Sequence, residues 1–279
     1  MSNTAPFRAD HVGSLLRSEA VHTARRRYNA TSIGPNGFTT TEELRAVEDE
    51  AIKDVVDLQE SLGLMAVTDG EYRRWFWHFD FMGALSGVEL VERDEGVQFH
   101  GMQIPPIHPT ITERINFPDN HPMLGHFRYL ASVANAQPKI SIPGPSCCHF
   151  RIAKADIAPP EYADVEVLFS DLTKTYSKAV KEFYKAGCRY LQMDDIFFAY
   201  LCDPNQREQK KTEGFDPDWL ITQYAKVMHD AIADRPDDMV IGMHLCRGNF
   251  RSTWAAEGAY DPAADAVFNQ TGVDIYFME

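Results

Sequence analysis

The sequence contains no uninterrupted apolar run of about 18 residues, so it predicts no membrane-spanning helix. Met1–Phe7 lacks the basic-then-apolar pattern of a secretory leader, and we expect no signal peptide. Cysteine is scarce, and its five residues are an odd number at irregular spacing, which is not typical of a disulfide framework. These absences favour a cytoplasmic protein whose thiols stay reduced.

Basic residues are also fewer than acidic ones. There are 27 Lys and Arg residues against 41 Asp and Glu residues, and the formal net charge is −14. Because nucleic-acid binding favours a basic patch, we expect no nucleic-acid partner and take small molecules as the ligands. The composition, 44% hydrophobic and 24% charged, is that of a globular protein with an ample core. The composition does not decide whether the protein forms a homo-oligomer.

The stretch with the clearest chemistry is Val240–Asn249. An apolar run over residues 239–243 predicts a short buried strand, which ends in His244 and Cys246. Side chains two residues apart on an extended backbone point the same way, and imidazole and thiolate are both zinc ligands. A pair of this kind is more often simply packed in a core, so the other ligands must come from elsewhere in the chain.

A strand-then-helix rhythm runs through most of the sequence. Apolar periodicity and capping residues predict helices over about 41–63, 162–186 and 216–234, and a short one over 262–270. Strands are predicted at 8–14, 64–68, 138–142, 189–193, 239–243 and 273–278. Residues 75–135 do not fit this rhythm, and there we predict an insertion with a β-hairpin over the mouth of the fold.

This rhythm predicts an α/β protein, and we expect residues 1–279 to form a single (β/α)8 TIM-type barrel domain with the insertion at about 75–135. A barrel of this type has eight strands, whereas we count six strand–helix units. We therefore expect this chain to lack the last two units. An open doubly wound sheet is the alternative.

Polar side chains follow each predicted strand. Because the carboxyl ends of parallel strands meet on one side of a barrel, we expect these groups to converge. A set of carboxylates beside an imidazole and a thiol suggests a metal and a substrate that carries an amine. The groups are Asp10, His11 and Ser14, then Asp69 and Glu71, Ser146 and His149, Asp194 and Asp195, His244 and Cys246, and Glu279.

The ordered set resembles the catalytic carboxyl-terminal barrel of the cobalamin-independent methionine synthases, especially the short single-barrel relatives. The motifs that carry the resemblance run along the chain from residue 8 to residue 279, and each one is short. They are His11-Val-Gly-Ser-Leu-Leu-Arg17, Asp69-Gly-Glu71, Ile142-Pro-Gly-Pro-Ser146, Gln192-Met-Asp194, His244-Leu-Cys246 and Val273-Asp-Ile-Tyr-Phe-Met-Glu279.

The resemblance implies a zinc site. In that family the His-x-Cys strand supplies two zinc ligands, which match His244 and Cys246. A Glu at the end of the following strand supplies the third ligand and matches Glu279. The fourth ligand of the family, a Cys near the last strand, has no match in this chain.

The resemblance also implies a homocysteine site. The family's homocysteine-binding Glu matches Glu71, and its amine-binding Asp matches Asp194, so both are expected to act in substrate binding and catalysis. Ser14, in the amino-terminal Gly-Ser segment, and Asp195 are expected substrate contacts. Asp195 departs from the Glu-Pro that usually follows the Asp in the larger enzymes, which leaves substrate details open.

The implied reaction is methyl transfer to the homocysteine thiol, from 5-methyltetrahydrofolate, its polyglutamate or a similar donor, giving methionine. His149, Asp195 and His11 are unranked candidates for protonating the leaving nitrogen of the donor. Two alternatives stay open. One is zinc-dependent alkyl transfer from an epoxide or another electrophile to a different thiol, and the other is a non-catalytic homologue that only binds a ligand.

Overall fold

The computed structural model describes residues 5–28, 33–34, 37–38, 40–92, 98–99, 102–103, 107–248 and 253–278. The α-helices are α1 (Glu19–Arg27), α2 (Glu42–Ser61), α3 (Phe79–Met82), α4 (Pro122–Val133), α5 (Cys147–Phe150), α6 (Val165–Lys185), α7 (Phe197–Tyr200), α8 (Pro204–Thr212) and α9 (Pro217–Ile232). The strands are β1 (Ile33–Gly34), β2 (Gly37–Phe38), β3 (Ala66–Val67), β4 (Ser86–Glu92), β5 (Gln98–Phe99), β6 (Met102–Gln103), β7 (Ile107–Asn116), β8 (Gln137–Pro138), β9 (Ile140–Pro143), β10 (Tyr190–Asp194), β11 (Val240–Leu245) and β12 (Ile275–Met278). Short 3-10 helices cover Lys154–Asp156 and Pro160–Ala163, and a π-helix covers Ala266–Gln270.

A parallel sheet organises the fold. Strands β12, β11, β10 and β9 pair in that order, all in parallel. Strand β3 pairs in parallel with β8, which directly precedes β9 in the chain. Within the described ranges this sheet is open and no closed barrel is formed, so the predicted α/β class is confirmed and the closed (β/α)8 barrel is not. A single domain over residues 1–279 and the lack of two further units stay predictions.

The long helices form where their caps and apolar stripes predict them. Thr41 begins α2 by accepting a hydrogen bond from the Leu44 amide at 3.1 Å. Asp164 and Asp216 accept in the same way at the starts of α6 and α9. The predictions for 41–63, 162–186 and 216–234 are thus confirmed to within a few residues. No helix in the described part of the chain is long and apolar enough to cross a membrane.

Strands β9 to β12 have two faces of opposite character. The helix face packs with α6 and α9 into the main hydrophobic core, and it consists of Ile140, Ile142, Leu191, Met193, Ile241, Met243 and Leu245. The inner face carries the alternate side chains, which are Ser141, Tyr190, Gln192, Asp194, His244 and Phe277, together with Lys139 between β8 and β9. The candidate site lies on the inner face.

The predicted strand at residues 8–14 is wrong. This segment forms no strand pairing among the described residues, because side chains take its backbone acceptors instead. Lys139 donates to the His11 carbonyl, Gln192 Nε2 donates to the Val12 carbonyl at 2.7 Å, and Thr68 Oγ1 donates to the Gly13 carbonyl at 2.7 Å. The segment is therefore held across the inner face by Thr68, which follows β3, by Lys139 between β8 and β9, and by Gln192 of β10.

The insertion contains the predicted hairpin. Strands β4 and β7 pair antiparallel, with a register shift near Ser86. The hairpin packs beside α6, and its expected place over the mouth of the fold stays a prediction. Arg114 forms a bidentate ion pair with Asp171 of α6 at 2.7 Å, and Thr175 of α6 donates to the Ile115 carbonyl at 3.2 Å.

Candidate active site

His244 and Cys246 lie together at the carboxyl end of β11. Their side chains hydrogen-bond each other, and the His244 ring also hydrogen-bonds Asp194, with 3.3 Å between Nδ1 and Oδ1. Burial lowers the pKa of His244, but the hydrogen bonds to Asp194 and Cys246 outweigh it and raise that pKa to about 10. A pKa raised in this way favours a ring that carries both protons, held between the Asp194 carboxylate and the Cys246 side chain.

The pair fits zinc by its donor chemistry. A histidine that binds a metal through one ring nitrogen commonly donates the other N–H to a carboxylate, and the contact between Nδ1 and Asp194 has that form. A metal would have to displace the second ring proton. The expected third ligand, Glu279, lies outside the described residues. Among those that are described, no group of three or more His, Cys, Asp or Glu side chains is arranged to hold a metal.

Asp194 ends β10 directly beside His244, its partner in the strand register. Its side chain is buried, and its Oδ1 accepts hydrogen bonds from Gln192 Nε2 at 2.8 Å and from His244 at 3.3 Å. The pairing of an expected substrate residue with an expected metal ligand could not be foreseen from the sequence, because it depends on the register between β10 and β11.

Glu71 has a left-handed backbone, with φ at 60°. For a non-glycine residue this conformation costs about 1 kcal/mol or more, so its surroundings must hold it. The Glu71 amide donates to Asp69 Oδ1 at 2.9 Å, and its carbonyl accepts from Arg17 at 2.6 Å. Ser141 Oγ of the inner face donates to Glu71 Oε1 at 2.9 Å. The turn thus aims a buried carboxylate at the inner face.

Arg74 lies beneath Glu71, and its side chain is 1% exposed. Its guanidinium lies 3.3 Å from Glu71 Oε1 and donates to the Ser141 carbonyl. Burial alone lowers its pKa, but carboxylates led by Glu71 and Asp69 raise the pKa overall, so Arg74 stays charged. The ion pair between Glu71 and Arg74 is buried, and it leaves room for the Glu71 carboxylate to accept further donors.

Asp195, which follows Asp194 at the end of β10, is fully buried. Ser146 Oγ donates to its Oδ1, and a Cβ placed on Gly144 would come within 2.3 Å of its Oδ2. Position 144 must therefore be glycine for the Gly-Pro-Ser loop to close over this carboxyl. Burial raises the pKa of Asp195 to about 7. These contacts are structural, and a substrate role for Asp195 stays a prediction.

The structure does not bring His149 to this cluster. Its Nδ1 lies 2.6 Å from the Tyr224 hydroxyl, and its ring packs edge-on against Phe169 and Phe215. Burial, and then the charge of Lys210, lower its pKa to about 3. A catalytic role for His149 stays a prediction that these contacts do not support.

Ser14 is exposed beside the Glu71 turn, to which the next residue is tied by a 3.1 Å hydrogen bond from the Leu15 amide to the Gly70 carbonyl. Gly13, immediately before it, has φ at +113° and would crowd Thr68 with any side chain. A substrate contact by Ser14 is consistent with this position and stays a prediction.

A buried ion pair under the site was not singled out from the sequence. Lys139, 1% exposed, lies 2.7 Å from Asp10 Oδ1, and Tyr190 donates to Asp10 Oδ2 at 2.7 Å. The Lys139 ammonium also lies over the Tyr190 and Phe277 rings. Burial lowers the pKa of Lys139, and Asp10 opposes that change. A lysine inside an otherwise apolar strand was the available signal.

The chain matches the family described as "Cobalamin-independent synthase, Catalytic domain" over residues 7–265. YxjH and YxjG of Bacillus subtilis (strain 168), both uncharacterized, are each 45% identical over 276 residues, which cover 99% and 98% of this chain and 71% and 70% of theirs.

Solved structures agree with that match. A Listeria monocytogenes protein, provisionally described as a vitamin B12-independent methionine synthase, is 37% identical with a TM-score of 0.74, covering 98% of this chain and 73% of its own. A B12-independent methionine synthase from Shewanella sp. W3-18-1, solved with selenomethionine, has a TM-score of 0.58 at 19% identity over 86% of this chain and 62% of its own, which shows likeness of fold. The arrangement of His244, Cys246, Asp194 and Glu71 on one face thus occurs in a chain that belongs to the cobalamin-independent methionine synthase family, in its catalytic domain.

Proposed function

We propose that this protein is a zinc-dependent methyltransferase that methylates the thiol of homocysteine and so forms methionine. The observation that carries the proposal is the contact between His244, Cys246 and Asp194 at the ends of two adjacent strands. It places an imidazole and a thiol, which are zinc ligands, directly beside a carboxylate suited to an ammonium group.

His244 and Cys246 would hold the zinc, with Glu279 as the expected third ligand. Zinc bound there supplies deprotonation of the substrate thiol at neutral pH, since a coordinating thiol loses its proton. Asp194 orients His244 through Nδ1 and offers its carboxylate to the substrate ammonium. Glu71, fixed by Ser141 and Arg74, offers a second carboxylate to the same ammonium. Together they restrict the substrate to one orientation, which favours in-line attack on the methyl carbon.

The methyl donor would lie on the Cys246 side of the site. The Arg151 guanidinium lies 5.3 Å from the centre of the Phe197 ring and 5.7 Å from that of Tyr200. A Cβ on Gly248, two residues after Cys246, would come within 2.6 Å of the Tyr200 hydroxyl. An aromatic and cationic wall of this kind suits a flat, anionic donor such as 5-methyltetrahydrofolate.

Two substitutions, Cys246→Ser and Asp194→Asn, test the proposal. Cys246→Ser should lower bound zinc from about one ion per chain to about a tenth or less, because it removes a thiolate ligand. Cys188→Ser is the matched control, since this buried thiol hydrogen-bonds the Tyr190 carbonyl and has no place in the site. Metal analysis after gel filtration measures both. Full zinc in Cys246→Ser would show that the metal site is elsewhere.

Asp194→Asn keeps the shape of the side chain but removes its charge. Homocysteine binding should weaken about 10- to 100-fold while zinc is retained, because the ammonium loses a charged partner. Methionine formation should be assayed with several methyl donors side by side. Zinc-loaded wild-type protein that makes no methionine with any of them, but alkylates another thiol, would replace the proposal with the alkyl-transfer alternative.

A further inference from the structure

Gln192 is a fully buried side chain in the middle of the inner face. Its amide nitrogen donates two hydrogen bonds, one to the Val12 carbonyl at 2.7 Å and one to Asp194 Oδ1 at 2.8 Å. Its neighbours in the sequence, Leu191 and Met193, lie in the hydrophobic core on the opposite side of the strand. A polar side chain at this depth is costly unless its partners require it.

The orientation of this amide follows from its partners. A peptide carbonyl and a carboxylate only accept hydrogen bonds, so the NH2 group and not the oxygen must face both of them. An amide NH2 has two protons, and each is used once. Glutamate could not make both bonds at neutral pH, and a shorter asparagine could not reach both acceptors.

Gln192 also fixes which oxygen of Asp194 is occupied. The hydrogen bonds that Asp194 accepts on its carboxylate from described residues, from Gln192 and from His244, both go to Oδ1. These contacts leave Oδ2 to accept a hydrogen bond from a ligand. Without Gln192 the carboxylate would be held by the longer His244 contact alone and could rotate about its last side-chain bond.

The other partner of Gln192 is itself anchored. Val12 follows Asp10 and His11, which Lys139 binds through the Asp10 carboxylate at 2.7 Å and the His11 carbonyl. Tyr190, two residues before Gln192 on the same face, holds the other oxygen of Asp10 at 2.7 Å. Gln192 therefore has one rigid neighbour at Val12 and one functional neighbour at Asp194.

We infer that Gln192 is a positioning residue that sets the Asp194 carboxylate for the ammonium group of the thiol substrate. The inference rests on the proposed function and adds to it the residue that determines selectivity for an amine-bearing thiol. Gln192 acts through Asp194. Its loss should therefore weaken the binding of ligands that carry the ammonium group and hardly change the binding of ligands that lack it.

The test compares homocysteine with 4-mercaptobutyrate, which is homocysteine without its amino group. Dissociation constants are measured by calorimetry on the full chain supplied with zinc, for wild type, Gln192→Met and Gln192→Asn. Methionine matches glutamine in length and removes both donors. We expect Gln192→Met to weaken homocysteine binding about 10-fold or more and 4-mercaptobutyrate binding less than about threefold, because only the first ligand uses Asp194. Gln192→Asn should fall between Gln192→Met and wild type.

Gln59→Met is the matched control. Gln59 is also buried, but its amide ties α2 to the Thr68 backbone and makes no hydrogen bond to Asp194. It should lower the melting temperature without changing the ratio of the two dissociation constants.

Equal losses for both thiols in the folded Gln192 variants would show a structural role and overturn the inference, and so would no loss for either. A wild-type protein that does not prefer homocysteine over 4-mercaptobutyrate would instead overturn the proposed function, and the inference would fall with it.

Discussion

The two faces of strands β9 to β12 share the same backbone and have opposite chemistry. On β10, Leu191 and Met193 pack into the core, whereas Gln192 and Asp194 between and after them form a buried polar network. Parallel strands covered on both sides are usually apolar along their whole length. The alternation of apolar and buried polar side chains in β10 therefore indicates a functional site.

The two faces also differ in what they contribute. Each apolar side chain of the helix face stabilises the fold by roughly 1.5–3 kcal/mol through burial. The inner face gains little net stability from its hydrogen bonds and ion pairs, since desolvation offsets most of their attraction. Its charges are nonetheless matched, Lys139 with Asp10 and Arg74 with Glu71. We conclude that the helix face supplies stability, while the inner face fixes positions and depends on complete pairing.

The largest effect should come from breaking a pair on the inner side. Arg74→Met leaves the buried Glu71 carboxylate without its cation, and we expect a loss of about 3–5 kcal/mol in the free energy of unfolding. Urea denaturation measures it. Arg26→Met is the control, because Arg26 pairs with Glu19 in solvent and its loss should leave the free energy of unfolding almost unchanged. A loss below about 1 kcal/mol for Arg74→Met would refute the conclusion that the inner face depends on complete pairing of its charges.

A cavity on the helix face should affect stability alone. Leu191→Ala removes a fully buried side chain, and we expect a loss of about 3 kcal/mol from the free energy of unfolding. The homocysteine dissociation constant should change less than about threefold, since the cavity opens on the side of the strand away from the site. Denaturation and calorimetry on one preparation give both numbers. A large loss of affinity would mean that the two faces are coupled through the strand.

The smallest effect concerns pH and His149. Its folded pKa of about 3 lies below the usual 6.5, so the unfolded chain binds more protons between these values. Stability from this group is complete above pH 6.5 and is lost as pH falls toward 3. The glutamine in His149→Gln can still accept a hydrogen bond from Tyr224 but does not titrate. The decrease in the free energy of unfolding between pH 7 and pH 4 should therefore be smaller in this variant, by on the order of 2 kcal/mol.

Thermal unfolding at several pH values measures this effect. Methionine formation at pH 7 provides the second reading, because a catalytic His149 would be needed there and a packed one would not. An unchanged pH slope together with a large loss of activity would restore the catalytic role that its contacts do not support.

Much of the fold could be predicted because its signals are local. Caps such as Thr41 and apolar periodicity mark the helices, and short apolar runs mark β10 and β11. The strand expected at residues 8–14 failed because its carbonyls are taken by side chains 55, 128 and 180 residues away, which no local pattern encodes.

The candidate site was predictable as a set of residue types and not as a geometry. The spacing of His244 and Cys246 indicated two side chains at one strand end, and their role as zinc ligands stays a prediction. The contact of His244 with Asp194 depends on strand register, and the left-handed turn at Glu71 depends on the arginines at positions 17 and 74. The contacts of His149 with Tyr224 could not be foreseen, because a strand-end position does not reveal which way a following helix turns its side chains.

The anchoring of the amino-terminal segment also sets an order for biosynthesis. Val12 and Asp10 leave the ribosome early, but Gln192 and Tyr190, which bind them, are each 180 residues further along the chain. The contacts of the segment with Thr68 and Lys139 can form earlier, but those with β10 must wait until that strand has been made. The last fixed contact of the segment forms late in translation, so the substrate pocket is assembled only when most of the chain is already folded around it.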